Sequence, residues 1–208
     1  MIAIIDNDVI AKLARFDLLI AFHKQLKKLK YEPRLTPLID STFDLAGKSP
    51  VPKKVRTLEQ RQVIAELAAG CSRIALNDEG HELLKLCYQV EGIDPGDSIW
   101  LCVAASTPDS IVFTGDKRAL RSVSASNDCA PIVKRLAGRV VCLEQIVVGL
   151  FDEEGYPVVR SRIRLDPEAD GAVSSAFPEK VTSRADAMLV LEGKIATLRA
   201  STGGLLVP

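Results

Sequence analysis

The chain lacks long apolar runs and an excess of charge of either sign. No segment reaches the roughly 18 uncharged apolar residues that a membrane-spanning helix needs. The first apolar run has no basic flank and carries a charge at Asp6, which is unlike a secretion signal. Basic and acidic residues number 27 each, which excludes a wholly basic surface that coats nucleic acid but not a local basic patch. We therefore expect a cytoplasmic protein without a membrane partner.

The sequence also lacks any pair of cysteines at C-x-x-C spacing. Most of its five cysteines lie in apolar surroundings, so we interpret them as small core residues of a protein from a reducing compartment. With 208 residues, 47% of them hydrophobic, the chain can bury a core of its own.

Two short apolar runs are present, and each ends in carboxylates. Residues 2–8 read Ile-Ala-Ile-Ile-Asp-Asn-Asp, and residues 110–116 read Ser-Ile-Val-Phe-Thr-Gly-Asp. Uninterrupted apolar runs are typical of buried parallel strands, and ligands of open α/β sheets bind beyond the carboxyl ends of the strands. Asp6 and Asp116 therefore lie where a site is expected, and two strand-end aspartates suggest bound metal.

The rest of the chain alternates short strands with helical patterns. Helices are predicted over 9–30 with a break at Asp17, over 57–70, over 78–91 and after the turn Asp94-Pro-Gly-Asp97, with a further strand over 139–143. This alternation predicts a three-layer α/β/α sandwich with a mostly parallel sheet. Residues 1–150 form the predicted domain. Residues 151–208 differ in composition and are predicted as a C-terminal extension packed on the core, extended over 156–165 and helical over 185–200.

Three motifs together carry a resemblance to a known family. They are Asp6 in Ile-Ile-Asp-Asn-Asp-Val-Ile, the helix start Gly96-Asp97, and Ile111-Val-Phe-Thr-Gly-Asp116. In order and separation they resemble the PIN-domain ribonucleases over roughly residues 1–150. The resemblance implies a compact α/β/α sandwich in which a cluster of acidic residues binds Mg²⁺ or Mn²⁺ and hydrolyses RNA.

The resemblance also assigns roles to individual residues. Asp6 matches the first acid of the family, Asp97 the acid at the start of the helix before the fourth strand, and Asp116 the acid after that strand. These three are the expected catalytic and metal-binding residues. Asp8 stands where the family has Asn, Ser or Asp, a position that helps to organise the first acid or the metal ligands.

One acid of the family pattern is missing. The family normally has a glutamate shortly after a Thr-Pro-like segment, and alignment on Thr36-Pro37 places Thr42 there. Either Asp40 or Asp44 substitutes through a small register shift, or the acidic site is incomplete. We keep Asp40 and Asp44 as candidate metal ligands.

The chemistry explains why carboxylates are needed. Mg²⁺ is a hard cation that takes oxygen ligands, and a bound metal lowers the pKa of its water so that it can attack a phosphodiester. Thr114 could orient a carboxylate or a water. The candidate RNA-binding residues are Lys53, Lys54, Lys117 and Arg118.

Other interpretations remain open. Asp8 and Asp97 could be helix caps only, and Asp94 is read as a turn residue. In a haloacid-dehalogenase-like phosphatase, Asp6 would be a covalent nucleophile and Asp8 the general acid, but the second acid expected after Gly115-Asp116 is absent. A silent PIN-like module would bind RNA or protein without catalysis. Many members of the family are toxins restrained by a small protein, so the resemblance also implies an inhibitory partner. The extension over residues 151–208 could instead cover the site, mediate a homodimer or bind a partner.

Overall fold

A five-stranded parallel sheet forms the centre of the molecule. The computed structural model describes residues 1–49, 54–180 and 183–208. The strands are β1 (Ile2–Ile5), β2 (Glu32–Leu35), β3 (Ser72–Arg73), β4 (Ser110–Thr114) and β5 (Val140–Cys142). They are all parallel and lie in the order β3-β2-β1-β4-β5. Helices cover both faces of the sheet, so the predicted three-layer α/β/α sandwich is confirmed.

The helices are short and most have an apolar face against the sheet. In chain order they are α1 (Asn7–Arg15), α2 (Leu19–Lys28), α3 (Ile39–Thr42), α4 (Leu58–Ala69), α5 (Asp78–Cys87), α6 (Pro95–Ala105), α7 (Lys117–Ala125), α8 (Ala130–Leu136), α9 (Leu143–Glu154), α10 (Tyr156–Leu165), α11 (Gly171–Ser174) and α12 (Arg184–Ala200), with a 3₁₀ turn at Pro167–Ala169. Among the described residues, no helix has the length and apolarity needed to cross a membrane.

The two apolar runs form the central strands because both of their faces are covered. Ala3 and Ile5 of β1 belong to one core cluster, whereas Ile4 between them belongs to the other. In β4, Phe113 belongs to the first of these clusters and Val112 to the second. Successive side chains of a strand point to opposite faces, so a strand with helices on both sides has to be apolar throughout.

The connections change face between β1 and β4. From β1 the chain passes over one face of the sheet through α1 and α2 to β2, whereas from β4 it passes over the other face through α7 and α8 to β5. In an open parallel sheet, such a reversal leaves a crevice at the carboxyl ends of the two neighbouring strands. Asp6 and Asp116 follow those two strands.

The structure contains the predicted helices and strands, with two exceptions. The predicted break at Asp17 is confirmed, since α1 ends at Arg15 and Asp17 has a φ of +56°. The expectation of extended chain over 156–165 is wrong, because α10 forms there and buries Val159 and Ile163, which lie four residues apart on one face. Strand β3 is only two residues long and was not predicted.

Residues 151–208 contribute directly to the core. Helix α9 crosses position 150, and buried side chains of the extension belong to the same cluster as those of β1: Val159, Ile163, Val173, Phe177 and Leu191. The end of the chain lies along β5, where the amide of Val207 donates to the carbonyl of Val140 at 2.9 Å. The extension thereby covers an edge that would otherwise expose unpaired backbone groups.

Replacing Leu191 with alanine should destabilise the whole molecule. Leu191 of α12 is fully buried, whereas Leu189 on the same helix is 73% exposed. We expect Leu191→Ala to lower the free energy of unfolding by about 2–5 kcal/mol, because it leaves a cavity in the shared core. Urea unfolding followed by circular dichroism measures the change. Leu189→Ala is the matched control and should cost less than about 0.5 kcal/mol, and equal effects of the two variants would contradict the packing described.

Candidate functional site

A cleft of about 520 Å³ opens at the carboxyl ends of β1 and β4. We call it the acidic cleft, because five aspartates line it: Asp6, Asp8, Asp94, Asp97 and Asp116. Three segments that are distant in sequence supply these side chains, namely the ends of the two central strands and the start of α6. The structure thus brings together the three acids that the sequence singled out for catalysis.

Asp6 and Asp97 are the two buried aspartates of the five, at 7% and 6% exposure. The backbone amide of Asp6 donates to the carbonyl of Phe113 at 3.0 Å, which continues the pairing of the two central strands past the end of β1. The hydroxyl of Thr114 donates to Oδ2 of Asp6 at 2.9 Å, so the prediction that Thr114 orients a carboxylate is confirmed. Burial, with the nearby charges of Asp8 and Asp97, raises the pKa of Asp6 to about 7.

Asp97 takes part in capping α6 and also lies in the acidic cleft. It sits in a capping box at the start of α6, where Asp94 accepts from its amide at 2.8 Å. The indole N–H of Trp100 donates to its Oδ1 at 3.2 Å. Burial, with the charges of Asp116 and Asp94, raises the pKa of Asp97 to about 6. Asp94 was read as a turn residue only, although its spacing of three from Asp97 is the signal of this box.

Asp116 begins α7 as its N-cap. Its Oδ1 accepts from the amides of Arg118 and Ala119, both at 2.9 Å. Its own amide donates to the hydroxyl of Thr114 at 3.1 Å. Thr114 therefore links the acids that follow the two central strands, because it donates to Asp6 and accepts from Asp116.

Asp8 is held by a lysine that the sequence analysis missed. Nζ of Lys12 lies 2.6 Å from Oδ2 of Asp8 and 2.9 Å from Oδ2 of Asp170 in the extension. A Cβ atom on Gly115 would lie only 2.3 Å from Oδ2 of Asp8, so glycine is needed there for the aspartate to fit. The spacing of four between Asp8 and Lys12 signals their pair, but no local pattern indicates Asp170.

Hydroxyl and amide groups occupy the position of the family's remaining acid. Nδ2 of Asn7 donates to the hydroxyl of Thr42 at 3.1 Å, and the hydroxyl of Thr36 donates to Oδ1 of Asn7 at 2.9 Å. All three side chains line the acidic cleft. This neutral network fixes the turn that follows β1.

The structure does not bring Asp40 or Asp44 into the cleft. Asp40 is exposed and pairs with Arg73 at 3.3 Å. The carboxylate of Asp44 accepts from the amide of Ser49 at 2.6 Å and so organises its own loop. The prediction that Asp40 or Asp44 supplies the missing acid of the site is therefore wrong.

The candidate RNA-binding residues are divided by the fold. Lys54 and Arg118 line the acidic cleft. Lys117 turns away from it, forms an ion pair with Glu144, and lines a different cleft. Lys53 lies outside the described residues.

The carboxylate oxygens of the acidic cleft are ligands of the kind that a hard divalent cation prefers. Every acidic group in the cleft is a carboxylate, and their mutual repulsion together with burial raises two of the pKa values, a cost that a cation would offset. Within residues 1–49, 54–180 and 183–208, no three Asp, Glu, His or Cys side chains are already arranged to hold a metal ion.

Stability should depend on pH through Asp6. Above about pH 5 an aspartate in the unfolded chain is ionised, whereas Asp6 in the folded chain keeps its proton up to about pH 7. The folded state then binds more protons, so the free energy of unfolding falls as the pH rises through this window. We expect Asp6→Asn to reduce that fall and to be more stable than wild type at about pH 8, by up to about 4 kcal/mol.

Urea unfolding in metal-free buffer at several pH values between about 5 and 8 measures this effect. Burial and the charge of Lys27 lower the pKa of His23, and this contribution is the same in both proteins. Asp40→Asn is the control, because its side chain is 62% exposed and lies outside the cleft. Parallel curves for wild type and Asp6→Asn would show that the pKa of Asp6 is not raised.

No protein-family model, curated protein or solved structure matches this chain. The residues of the acidic cleft are therefore the basis for the function of this chain proposed below.

Proposed function

We propose that this chain is a PIN-like ribonuclease that hydrolyses RNA phosphodiester bonds with Mg²⁺ or Mn²⁺. The observation that carries the proposal is the convergence of Asp6, Asp97 and Asp116 in one cleft at the crevice between β1 and β4. Structural ion pairs do not account for Asp6 and Asp97, because both are buried with raised pKa values and neither has a salt bridge within the described part of the chain.

Asp6, Asp97 and Asp116 would hold the metal, with Asp8 beside them. A bound divalent cation supplies a more acidic water and positive charge beside the phosphate. Asp94 offers a further carboxylate in a site where Thr42 replaces the acid of the family pattern. The capping box supports this role, since it fixes Asp94 and Asp97 next to each other at the start of α6.

The other polar residues of the cleft position these acids and the RNA. Thr114 holds Asp6 through its donated hydrogen bond, and the backbone of Asp8, at the start of α1, also hydrogen-bonds to that carboxyl group. Arg118 and Lys54 line the cleft and are suited to bind the phosphate groups of the strand. Lys12 offsets the charge of Asp8, which limits the repulsion among the five aspartates.

Asp6→Asn and Asp116→Asn should abolish metal-dependent RNA cleavage. Each change removes a negative charge from the cleft and nearly preserves side-chain volume. We expect cleavage of a mixed single-stranded and structured RNA pool in Mn²⁺ to fall by about 100-fold or more, the size of effect found when a key electrostatic group is removed from an active site. Gel assays of end-labelled RNA, with calorimetry of Mn²⁺ binding in parallel, measure both properties.

Asp40→Asn is the matched control for these variants. It removes the same charge from an exposed carboxylate outside the cleft, so cleavage should stay within about twofold of wild type. A well-folded wild type that neither binds Mn²⁺ nor cleaves RNA would sink the proposal and favour a silent PIN-like module. Equal losses in Asp40→Asn and Asp6→Asn would mean that the acidic cleft is not the site.

A further inference from the structure

A second cleft, of about 490 Å³, lies on the other side of the first turn of α7. We call it the basic cleft. Helices α7, α9 and α12 supply most of its walls, so the extension forms much of it. The lining residues that matter below are Lys117, Arg121, Glu144, Leu189, Gly193 and Lys194.

The basic cleft has a surplus of positive charge. Three of its side chains are cationic and one is a carboxylate, Glu144, which already pairs with Lys117. Among the described residues, the side chain of Arg121 donates one hydrogen bond, to the hydroxyl of Ser201 at 3.4 Å, and neither Arg121 nor Lys194 has a salt bridge to an acid. Two cations without a counterion in one concave surface favour an anionic ligand.

Glu144 adds a second requirement for the ligand. The residue is 1% exposed, and its Oε2 has no hydrogen-bond partner among the described residues. The neighbouring Cys142 thiol is a weak donor, and burial together with the charge of Glu144 raises its pKa to about 12. A buried carboxylate oxygen with only a weak thiol donor beside it is costly, so a ligand that carries an O–H or N–H group would relieve it.

The two clefts are separated by consecutive residues of one helix turn. Asp116 and Arg118 line the acidic cleft, whereas Lys117 between them lines the basic cleft. The first turn of α7 therefore borders both clefts. Gly193 on the far wall leaves open space, since a Cβ there would meet no atom within 4 Å, and Leu189 beside it is an exposed apolar surface.

We propose that the basic cleft binds a segment of single-stranded RNA next to the segment held in the acidic cleft. This inference rests on the proposed function, because it takes the RNA to extend from a phosphodiester that is bound in the acidic cleft. Arg121 and Lys194 contact phosphates, and Glu144 accepts a hydrogen bond from a ribose 2′-hydroxyl, a group that distinguishes RNA from DNA. The position of the two clefts on either side of one helix turn favours RNA, whose phosphates repeat along the strand, over an acidic peptide.

The test is RNA binding without catalysis. Fluorescence anisotropy of a labelled single-stranded RNA in EDTA is measured for wild type and for Arg121→Gln/Lys194→Gln over a range of salt concentrations. Each phosphate contact to a single strand contributes about 0.7 to the slope of log K against log salt, so the double variant should lower that slope by about 1.4. The same relation gives about 25-fold weaker binding at about 0.1 M salt. A DNA strand of the same sequence should bind wild type more weakly than the RNA does.

A double variant on another surface is the control. Lys85→Gln/Arg135→Gln removes the same charge from α5 and α8, where both cations have acidic partners, and should leave the slope unchanged. The inference is overturned if Arg121→Gln/Lys194→Gln binds like wild type, if the control loses as much affinity, if the DNA binds as tightly as the RNA, or if polyglutamate displaces the RNA as well as unlabelled RNA does.

Failure of this inference is distinguishable from failure of the proposed function. If wild type cleaves RNA in Mn²⁺ and the double variant binds RNA normally, the basic cleft is not part of the RNA path and the ribonuclease proposal stands. If wild type does not cleave but the double variant loses RNA binding, catalysis is disproved and the RNA-binding role of the basic cleft stands.

Discussion

Burial of the Asp6 carboxyl group at the junction of β1 and β4 is the constraint around which the site is built. A carboxylate in this position repels its acidic neighbours and has few waters to stabilise it. The surroundings reduce that cost without removing the acid: Thr114 donates to it, and Lys12 offsets Asp8. The acids of the cleft are therefore kept at a cost in stability, which is the pattern expected of a functional site.

The extension is part of that electrostatic organisation. Asp170 of the extension pairs with Lys12, which also pairs with Asp8, and Asp166 pairs with Arg15 one helical turn further along α1, at 2.7 Å. Burial raises the pKa of Asp170, but the charge of Lys12 and, to a smaller extent, that of Lys117 bring it below its ordinary value. Charges of opposite sign therefore alternate from Asp8 to Glu144, across the boundary between the predicted domain and its extension.

The sequence predicts the parts of the site that depend on neighbours in the chain. Asp6 and Asp116 were identified because an apolar strand that stops at a carboxylate is a local pattern, and Asp97 because of a resemblance over three motifs. Asp170, and the pairing of Lys117 with Glu144, depend on packing between segments far apart in sequence. For the same reason, whether Asp40 or Asp44 reaches the cleft is decided by Arg73 and by the loop before Ser49, which no motif describes.

The indole of Trp100 gives the acidic cleft an optical signal of its own. The chain contains a single tryptophan, and its N–H is bonded to a carboxylate of the cleft. Intrinsic fluorescence excited in the indole band therefore originates beside Asp97 and nowhere else in the molecule. A change in the ionisation or ligation of that carboxylate alters the electric field at the fluorophore, so the emission spectrum follows events in the cleft without any label.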